Sequence, residues 1–247
     1  MDNIGYISLS AAAMLERTLD VTANNLANAN SGGFRASRNA FEELLADTRR
    51  AGDRENVSYA LDRSYVDMSA GPLEETGNPL DLAIRGSAWF GYQGADGTVG
   101  LGRDGRFAVD QEGMLRTSAG LAVLDAGGGP VMIPPGSGDI SVAADGTIVS
   151  EGGEVVGQIG LFDEPRIAAW LPAGDGMFVP PQGAAELAAS IDSTMIQGFT
   201  EGSNVNPVLE MTRMIDVQRA YDRSMTVANG ADELRKQTLA RLGKPST

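Results

Sequence analysis

The sequence predicts an α+β fold in which long N- and C-terminal helices pack together as a coiled-coil-like layer, with a mostly antiparallel all-β domain inserted between them. Three observations support this. A stripe of apolar residues at helical spacing lies near the start of the 247-residue chain, and a second stripe lies near its end. Short β-forming runs divided by glycine, proline and Asp-Gly pairs fill the middle.

The first stripe predicts a helix over residues 8–29. Its members are spaced three or four positions apart: Ala12, Leu15, Leu19, Thr22, Leu26 and Ala29. The amides of Asn24, Asn25 and Asn28 lie beside it, either on a solvated face or in a register-fixing contact between packed helices. Glycines at 32 and 33 predict the end of this helix, and Phe34 is expected to be a packing anchor. Residues 40–45 predict a further short helix.

The second stripe predicts a helix from Pro207 to about residue 242, because proline is favoured at the first helical position. Its members are again three or four apart: Met214, Val217, Tyr221, Ser224, Ala228 and Ala231. Each stripe is too thin to form a core alone, so we expect the two terminal helices to pack on each other or on neighbouring chains.

The middle of the chain predicts strands divided by tight turns. Asp-Gly pairs at 96–97, 104–105 and 145–146 are hairpin signals, and residues 89–90, 107–109, 121–124 and 155–161 are expected strands. The predicted assembly domain is therefore residues 1–35 plus 205–247, the connecting segments are 36–74 plus 182–204, and the β domain is 75–181.

Composition and charge exclude several functions. The chain has no cysteine and no histidine, which removes thiol nucleophiles, disulfides and the usual zinc ligands. Residues 51–207 hold 22 acids against seven bases, and this disfavours nucleic-acid binding. No apolar run reaches the roughly 20 residues of a membrane helix, and the first 15 residues do not resemble a cleavable signal peptide.

Two kinds of motif in the sequence could supply chemistry. Residues 100–105 fit the dinucleotide pattern G-x-G-x-x-G, but β-forming residues follow them instead of a helix, so a glycine-rich hairpin is favoured. Adjacent acids at 42–43, 74–75 and 163–164 leave a secreted carbohydrate-active enzyme as one alternative. A binding module that displays Trp89, Phe90 and Trp170 is another.

Three segments resemble the bacterial flagellar axial proteins of the rod and hook. Residues 23–35, ANNLANANSGGFR, resemble the N-terminal signature A-N-N-[LI]-A-N-x-x-T-x-G-F-[KR], with serine in place of threonine at 31. Residues 71–84, GPLEETGNPLDLAI, resemble the segment that leads into the β domain of rod proteins. Residues 198–207, GFTEGSNVNP, with 210–221, EMTRMIDVQRAY, resemble the C-terminal signature.

The resemblance implies a structural subunit of the basal-body rod that transmits motor torque to the hook and filament, with no catalytic, cofactor or metal site. The length and residues 33–36 favour the proximal rod proteins over the distal ones. The implied partners are further copies, neighbouring rod proteins and the type III export apparatus, which delivers the chain to the periplasm without a cleaved signal. No nucleic acid and no membrane insertion are expected. The expected assembly residues are Leu15, Leu19, Asn24, Asn25, Leu26, Asn28, Phe34, Met214, Val217, Tyr221 and Ala228.

Overall fold

The computed structural model describes residues 2–46, 57–181 and 187–242. The chain divides into two compact units. Unit 1 comprises Met1–Ala27, Ser37–Asp67 and Asn206–Thr247, and unit 2 comprises Asn28–Ala36 and Met68–Val205. The backbone therefore passes between the two units four times.

The α-helices in the described part of unit 1 are α1 (Asp2–Ala27) and α2 (Pro207–Leu242). The predicted start of α2 is confirmed, because Pro207 is its first residue and Asn206 caps it. The Asn206 side-chain oxygen accepts the N–H groups of Val208 and Leu209 at 3.1 and 3.2 Å, which satisfies two donors that have no partner inside a helix. The first helix extends further toward the N-terminus than predicted and ends at Ala27 instead of residue 29.

The two helices pack against each other in an antiparallel pair, but they do not form a coiled-coil-like layer. Near the start of α1, the Ser8 carbonyl accepts the Ser224 hydroxyl at 2.7 Å. The most buried positions of α1 are small or polar: Ser8, Ala12, Thr18, Thr22 and Asn25. A coiled coil needs large apolar knobs at these positions, so that part of the predicted fold class is wrong.

Neither helix in the described ranges carries a stretch that is long and apolar enough to span a bilayer.

The described strands of unit 1 are β1 (Ser37–Ala46) and β2 (Val57–Val66), which pair as a hairpin. The strands are antiparallel, with Ser37 opposite Val66 and Ala46 opposite Val57. The predicted short helix at residues 40–45 is therefore wrong. Pairing with a strand that begins eleven residues after β1 ends determines this segment, and a local reading of residues 40–45 does not contain that pairing.

The described residues of unit 2 form sixteen antiparallel strands and one 3₁₀ turn at Ile167–Ala169. The strands are β3 (Leu73–Glu75), β4 (Leu82–Arg85), β5 (Trp89–Gln93), β6 (Val99–Gly102), β7 (Phe107–Val109), β8 (Leu115–Thr117), β9 (Ala122–Val123), β10 (Ile140–Val142), β11 (Thr147–Ser150), β12 (Val155–Gln158), β13 (Leu161–Asp163), β14 (Leu171–Gly174), β15 (Met177–Val179), β16 (Ala188–Ala189), β17 (Thr194–Gln197) and β18 (Phe199–Glu201).

The largest sheet of unit 2 runs in the order β14-β15-β6-β5-β9-β8-β7, with β13 also pairing with β5 and with β16. A three-stranded sheet has the order β10-β11-β12, and two further pairs are β17-β4 and β18-β3. The apolar core lies between these sheets. Phe90 and Tyr92 are fully buried, and Phe90 meets Phe107 edge to face at a centroid distance of 5.2 Å.

Two of the three predicted Asp-Gly hairpins are present. Gly97 joins β5 to β6 and Gly146 joins β10 to β11, each with a positive φ angle. Gly105 is not part of a hairpin. It lies where the backbone passes so close to Leu82 that a Cβ atom would fall 1.6 Å from the Leu82 carbonyl oxygen.

Candidate assembly site

Asn25 anchors the end of α1 to the start of the β1–β2 hairpin. Its side-chain amide donates to the Ser37 carbonyl at 2.8 Å, and its side-chain oxygen accepts the Ser37 N–H at 2.9 Å. The residue is 1 % exposed, so these bonds satisfy a polar group that would be costly to bury alone. Within this chain, Asn25 joins a helix to a strand and does not set the register of two helices.

The other predicted assembly residues of unit 1 lie mainly on partly buried faces. Leu15, Leu19 and Leu26 are half-buried on α1, where they flank the small and polar buried positions. Met214, Val217, Tyr221 and Ala228 are half-buried along one side of α2. Asn24 lies on the exposed side of α1. The structure thus brings the two predicted stripes into one helix pair.

A second apolar surface lies on α2, away from its partly buried side. We call Val208, Met211 and Ile215 the outer patch. Their exposed fractions are 65 %, 46 % and 50 %, and their spacing of three and four residues places them on one side of the helix. The periodicity of the partly buried stripe alone did not identify this patch.

An ion pair holds the first turn of α2 to β1. An Arg38 guanidinium nitrogen lies 2.5 Å from a Glu210 carboxylate oxygen. The Glu210 side chain is only 4 % exposed. Because Glu210 lies in the first turn, its charge also interacts favourably with the positive end of the helix dipole.

In unit 2, the segment Asn28–Ala36 is folded against the β strands. The Ser31 hydroxyl donates to the Asn28 side-chain oxygen at 3.1 Å, and the half-buried Phe34 accepts the Asn204 N–H at its carbonyl. Gly33 has a φ of +64°, and a Cβ atom there would lie 2.3 Å from the Arg103 carbonyl carbon. Only glycine fits this position without strain.

A buried charge cluster joins this segment to β18. We call Arg35, Arg103 and Glu201 the Glu201 cluster. Arg35 Nη2 lies 2.5 Å from Glu201 Oε1, and Arg103 Nη1 lies 3.0 Å from Glu201 Oε2. The side chains are 1 %, 5 % and 1 % exposed in that order. Two cations and one anion are thus held almost entirely out of water.

Backbone groups complete the coordination of Glu201. Its carboxylate accepts the Gly71 N–H at 3.0 Å, and its carbonyl accepts the Gly33 N–H at 2.7 Å. Asn204 extends the network, because its side-chain oxygen accepts the Ala36 N–H at 2.7 Å. Four segments that are distant in sequence, around residues 35, 71, 103 and 201, are therefore joined at one carboxylate.

The Trp89 ring lies against both arginines of the cluster. The Arg35 and Arg103 guanidinium carbons are 5.6 and 4.9 Å from the ring centroid, a cation–π distance in each case. Burial lowers the pKa of Arg103, and the Glu201 carboxylate opposes that shift. Burial also raises the pKa of Tyr92, whose hydroxyl donates to the Asp104 carbonyl at 2.6 Å.

Sequence reasoning missed the Glu201 cluster, the Arg38–Glu210 pair and the outer patch. Arg35 and Glu201 do lie within the two terminal signatures, and their opposite charges are a signal. A single sequence, however, does not say which of its many charges are paired.

The acidic pairs and the aromatic residues do not form an enzyme site or a binding platform among the described residues. Glu74 and Glu75 are exposed on β3, and the side chains of residues 42 and 43 lie outside those described. Trp89, Phe90 and Trp170 are buried, so they do not form an exposed aromatic platform. In the described part of the chain, no three acidic side chains converge as a metal site would require.

Comparison with known proteins matches both ends and the middle of the chain. Residues 6–35 match the family model described as flagella basal body rod protein. Residues 83–150 match the model of the flagellar hook protein FlgE/F/G D1 domain. Residues 196–242 match the model of the flagellar basal body rod FlgEFG protein C-terminal region.

Curated relatives match over nearly the whole chain. The flagellar basal-body rod protein FlgF of Mesorhizobium japonicum is 39 % identical, with 98 % of each chain covered. The FlgF protein of Caulobacter vibrioides is 38 % identical, with 99 % of each covered. The rod protein FlgG of Buchnera aphidicola is 29 % identical, with 93 % of this chain and 95 % of that protein covered. This chain therefore belongs to the flagellar basal-body rod protein family, and within it to the FlgF proteins.

Proposed function

We propose that this rod protein assembles with copies of itself and with neighbouring rod proteins into the proximal rod, and that the α1–α2 pair is its assembly element. In this role the chain transmits torque from the motor toward the hook and filament. The family membership supports a structural role in the rod.

The outer patch is the observation that carries the proposal. Val208, Met211 and Ile215 expose about half or more of their surface to water on a helix whose other side is already partly buried. Fully burying a side chain of this kind is worth about 1.5–3 kcal/mol, so covering all three would favour assembly by a few kcal/mol. Assembly through this patch requires no rearrangement of the helix pair.

The predicted assembly residues then divide into three roles. Leu15, Leu19 and Leu26, with the half-buried stripe of α2, hold the helices together and so orient the outer patch. We assign Asn24 on the exposed side of α1 to contact with a neighbouring subunit. Asn25, Asn28 and Phe34 support assembly indirectly, by fixing the segment that follows α1.

The remaining parts of the proposal concern delivery and chemistry. We propose export through the flagellar type III apparatus, assembly in the periplasm, and no catalytic activity. The exposed or dispersed acidic pairs and the lack of histidine support a non-enzymatic role.

The test is Ile215→Asp compared with Thr226→Asp in a strain that lacks the native gene. Both residues are exposed on α2, and Thr226 lies three turns further along, beyond the outer patch. We expect Ile215→Asp to abolish rod assembly and motility while the purified chain keeps its helix content by far-UV circular dichroism. We expect Thr226→Asp to remain motile.

Normal motility of Ile215→Asp would contradict the assignment of the outer patch. Loss of helix content in purified Ile215→Asp would show that Ile215 stabilises the helix pair within one subunit, which also contradicts it.

A further inference from the structure

The edge of the three-stranded sheet in unit 2 presents unpaired backbone groups. The Glu154 carbonyl accepts the Ser150 N–H at 2.9 Å, and the Gly146 carbonyl accepts the Ile159 N–H at 2.8 Å. Since the C=O and N–H of one peptide bond point in opposite directions, the Val155 N–H and the Gln158 carbonyl point away from β11. Neither group has a hydrogen-bond partner among the described residues, and β12 is the last strand of its sheet.

A groove lies at the turn that joins β11 to β12 and reaches the first residues of β12. It has a volume of about 720 Å³ and lies between residues 134–138 on one side and residues 150–152 and 154–156 on the other. Pro134 and Pro135 give one wall an apolar surface, and Val155 is 64 % exposed on the other. The Glu151 N–H donates to the Ser137 carbonyl at 3.4 Å and joins the two walls. An extended peptide needs such an arrangement, with a free strand edge and apolar contacts for alternate side chains.

The negative charge of the groove indicates what kind of segment would bind there. Glu151 and Glu154 both line it, and neither forms an ion pair with a described residue. Residues 51–207 of the chain carry a net charge of −15, so the β region of a second copy would be repelled from this surface. A segment that carries lysine or arginine would be attracted.

We propose that the outer edge of β12 and its groove form a docking site where an extended, basic segment of another protein adds as a strand. Backbone hydrogen bonds to Val155 and Gln158 give the affinity, and contacts with Glu151 and Glu154 give the preference for basic side chains. The site lies wholly within unit 2, so it does not depend on the proposed polymerisation through the helix pair.

The experiment is an NMR titration of the ¹⁵N-labelled full chain with a capped peptide of alternating lysine and valine. The matched control peptide alternates glutamate and valine. We expect shifts confined to residues 134–138 and 150–158 with the basic peptide, weakening as salt is added, and none with the acidic peptide. Equal shifts with both peptides would overturn the proposal.

Variants separate the two contributions. Glu151→Gln with Glu154→Gln should weaken binding of the basic peptide about two- to twentyfold, whereas Glu75→Gln with Glu112→Gln removes the same charge elsewhere and should not. Val155→Pro removes the free N–H without breaking a bond to β11 and should abolish binding.

Two further results would contradict the proposal. One is equal binding by both double variants, which would mean that charge at the groove does not select the peptide. The other is concentration-dependent shifts at residues 150–158 without peptide, which would assign the edge to a second copy of the chain.

Discussion

Replacing Glu201 by glutamine should destabilise unit 2 severely, because it leaves two buried cations without an anion. The native cluster holds Arg35, Arg103 and Glu201, with side chains no more than 5 % exposed. Glutamine is close to glutamate in size and keeps an oxygen for the Gly71 N–H. The change is therefore one of charge more than of packing.

The magnitude follows from the burial. Removing one partner of a buried ion pair costs about 3–5 kcal/mol, and exposure of 1 % at Glu201 leaves little water to screen the arginines. A slope of about 1–3 kcal/mol per molar urea then gives a midpoint lowered by at least about 1 M. Arg35→Met should cost less than Glu201→Gln, because it leaves Glu201 paired with Arg103 and removes the excess positive charge.

Tryptophan fluorescence during urea unfolding is the assay, since both tryptophans of the chain, Trp89 and Trp170, lie in unit 2. Glu112→Gln is the matched control, because Glu112 is exposed and its loss should change stability by less than about 0.5 kcal/mol. A midpoint for Glu201→Gln equal to that of the control would refute the reasoning. A larger loss of stability for Arg35→Met than for Glu201→Gln would refute the argument that the excess positive charge is what destabilises Glu201→Gln.

Three further predictions concern other contacts. Asn25→Ala removes two buried hydrogen bonds and should lower the stability of the helix pair by about 1–3 kcal/mol, measured as the loss of circular dichroism at 222 nm on heating. Gly33→Ala places a Cβ atom 2.3 Å from a facing carbonyl carbon and should destabilise unit 2 in urea far more than Gly97→Ala, which has a similar φ but open space; equal losses would contradict the close approach. The Arg116 side chain hydrogen-bonds to Asp110 and lowers the pKa of the Asp110 carboxyl. The ionised Asp110 therefore contributes to stability above about pH 4, and this contribution is lost as the pH falls through the lowered pKa. The difference in stability between the native chain and Asp110→Asn should shrink over that range.

Local signals in the sequence located the two helices but did not predict which residues are most buried between them. Pro207 and the stripe from Met214 to Ala231 predicted the start and the partly buried side of α2, since capping and periodicity are contained within a few residues. The coiled-coil-like layer was wrong because the most buried positions of α1 include Thr18 and Asn25, whose polar groups find partners that the sequence does not reveal. Thr18 donates to the Met14 carbonyl of its own helix, whereas Asn25 bonds to Ser37.

Contacts between distant residues account for the other differences. Segment 37–46 is a strand because it pairs with β2. The buried charge of Arg35 is paired with Glu201, which also pairs with Arg103, and these two residues lie 166 and 68 positions further along the chain. Alternation or spacing within one window cannot select such partners. The Glu201 cluster also explains in physical terms why residues 28–35 and 198–205, one part of each terminal signature, fold within unit 2 although they are far apart in sequence.

The labelling of one introduced cysteine tests the central claim most directly, because the native chain contains no cysteine. Ile215→Cys would be treated with a maleimide in the purified chain and in isolated basal bodies, with Glu112→Cys as an exposed control in unit 2. If the outer patch is the assembly surface, Ile215→Cys reacts readily in the purified chain and is protected in basal bodies, while the control reacts in the purified chain. Equal reactivity of Ile215→Cys in both preparations would contradict the account.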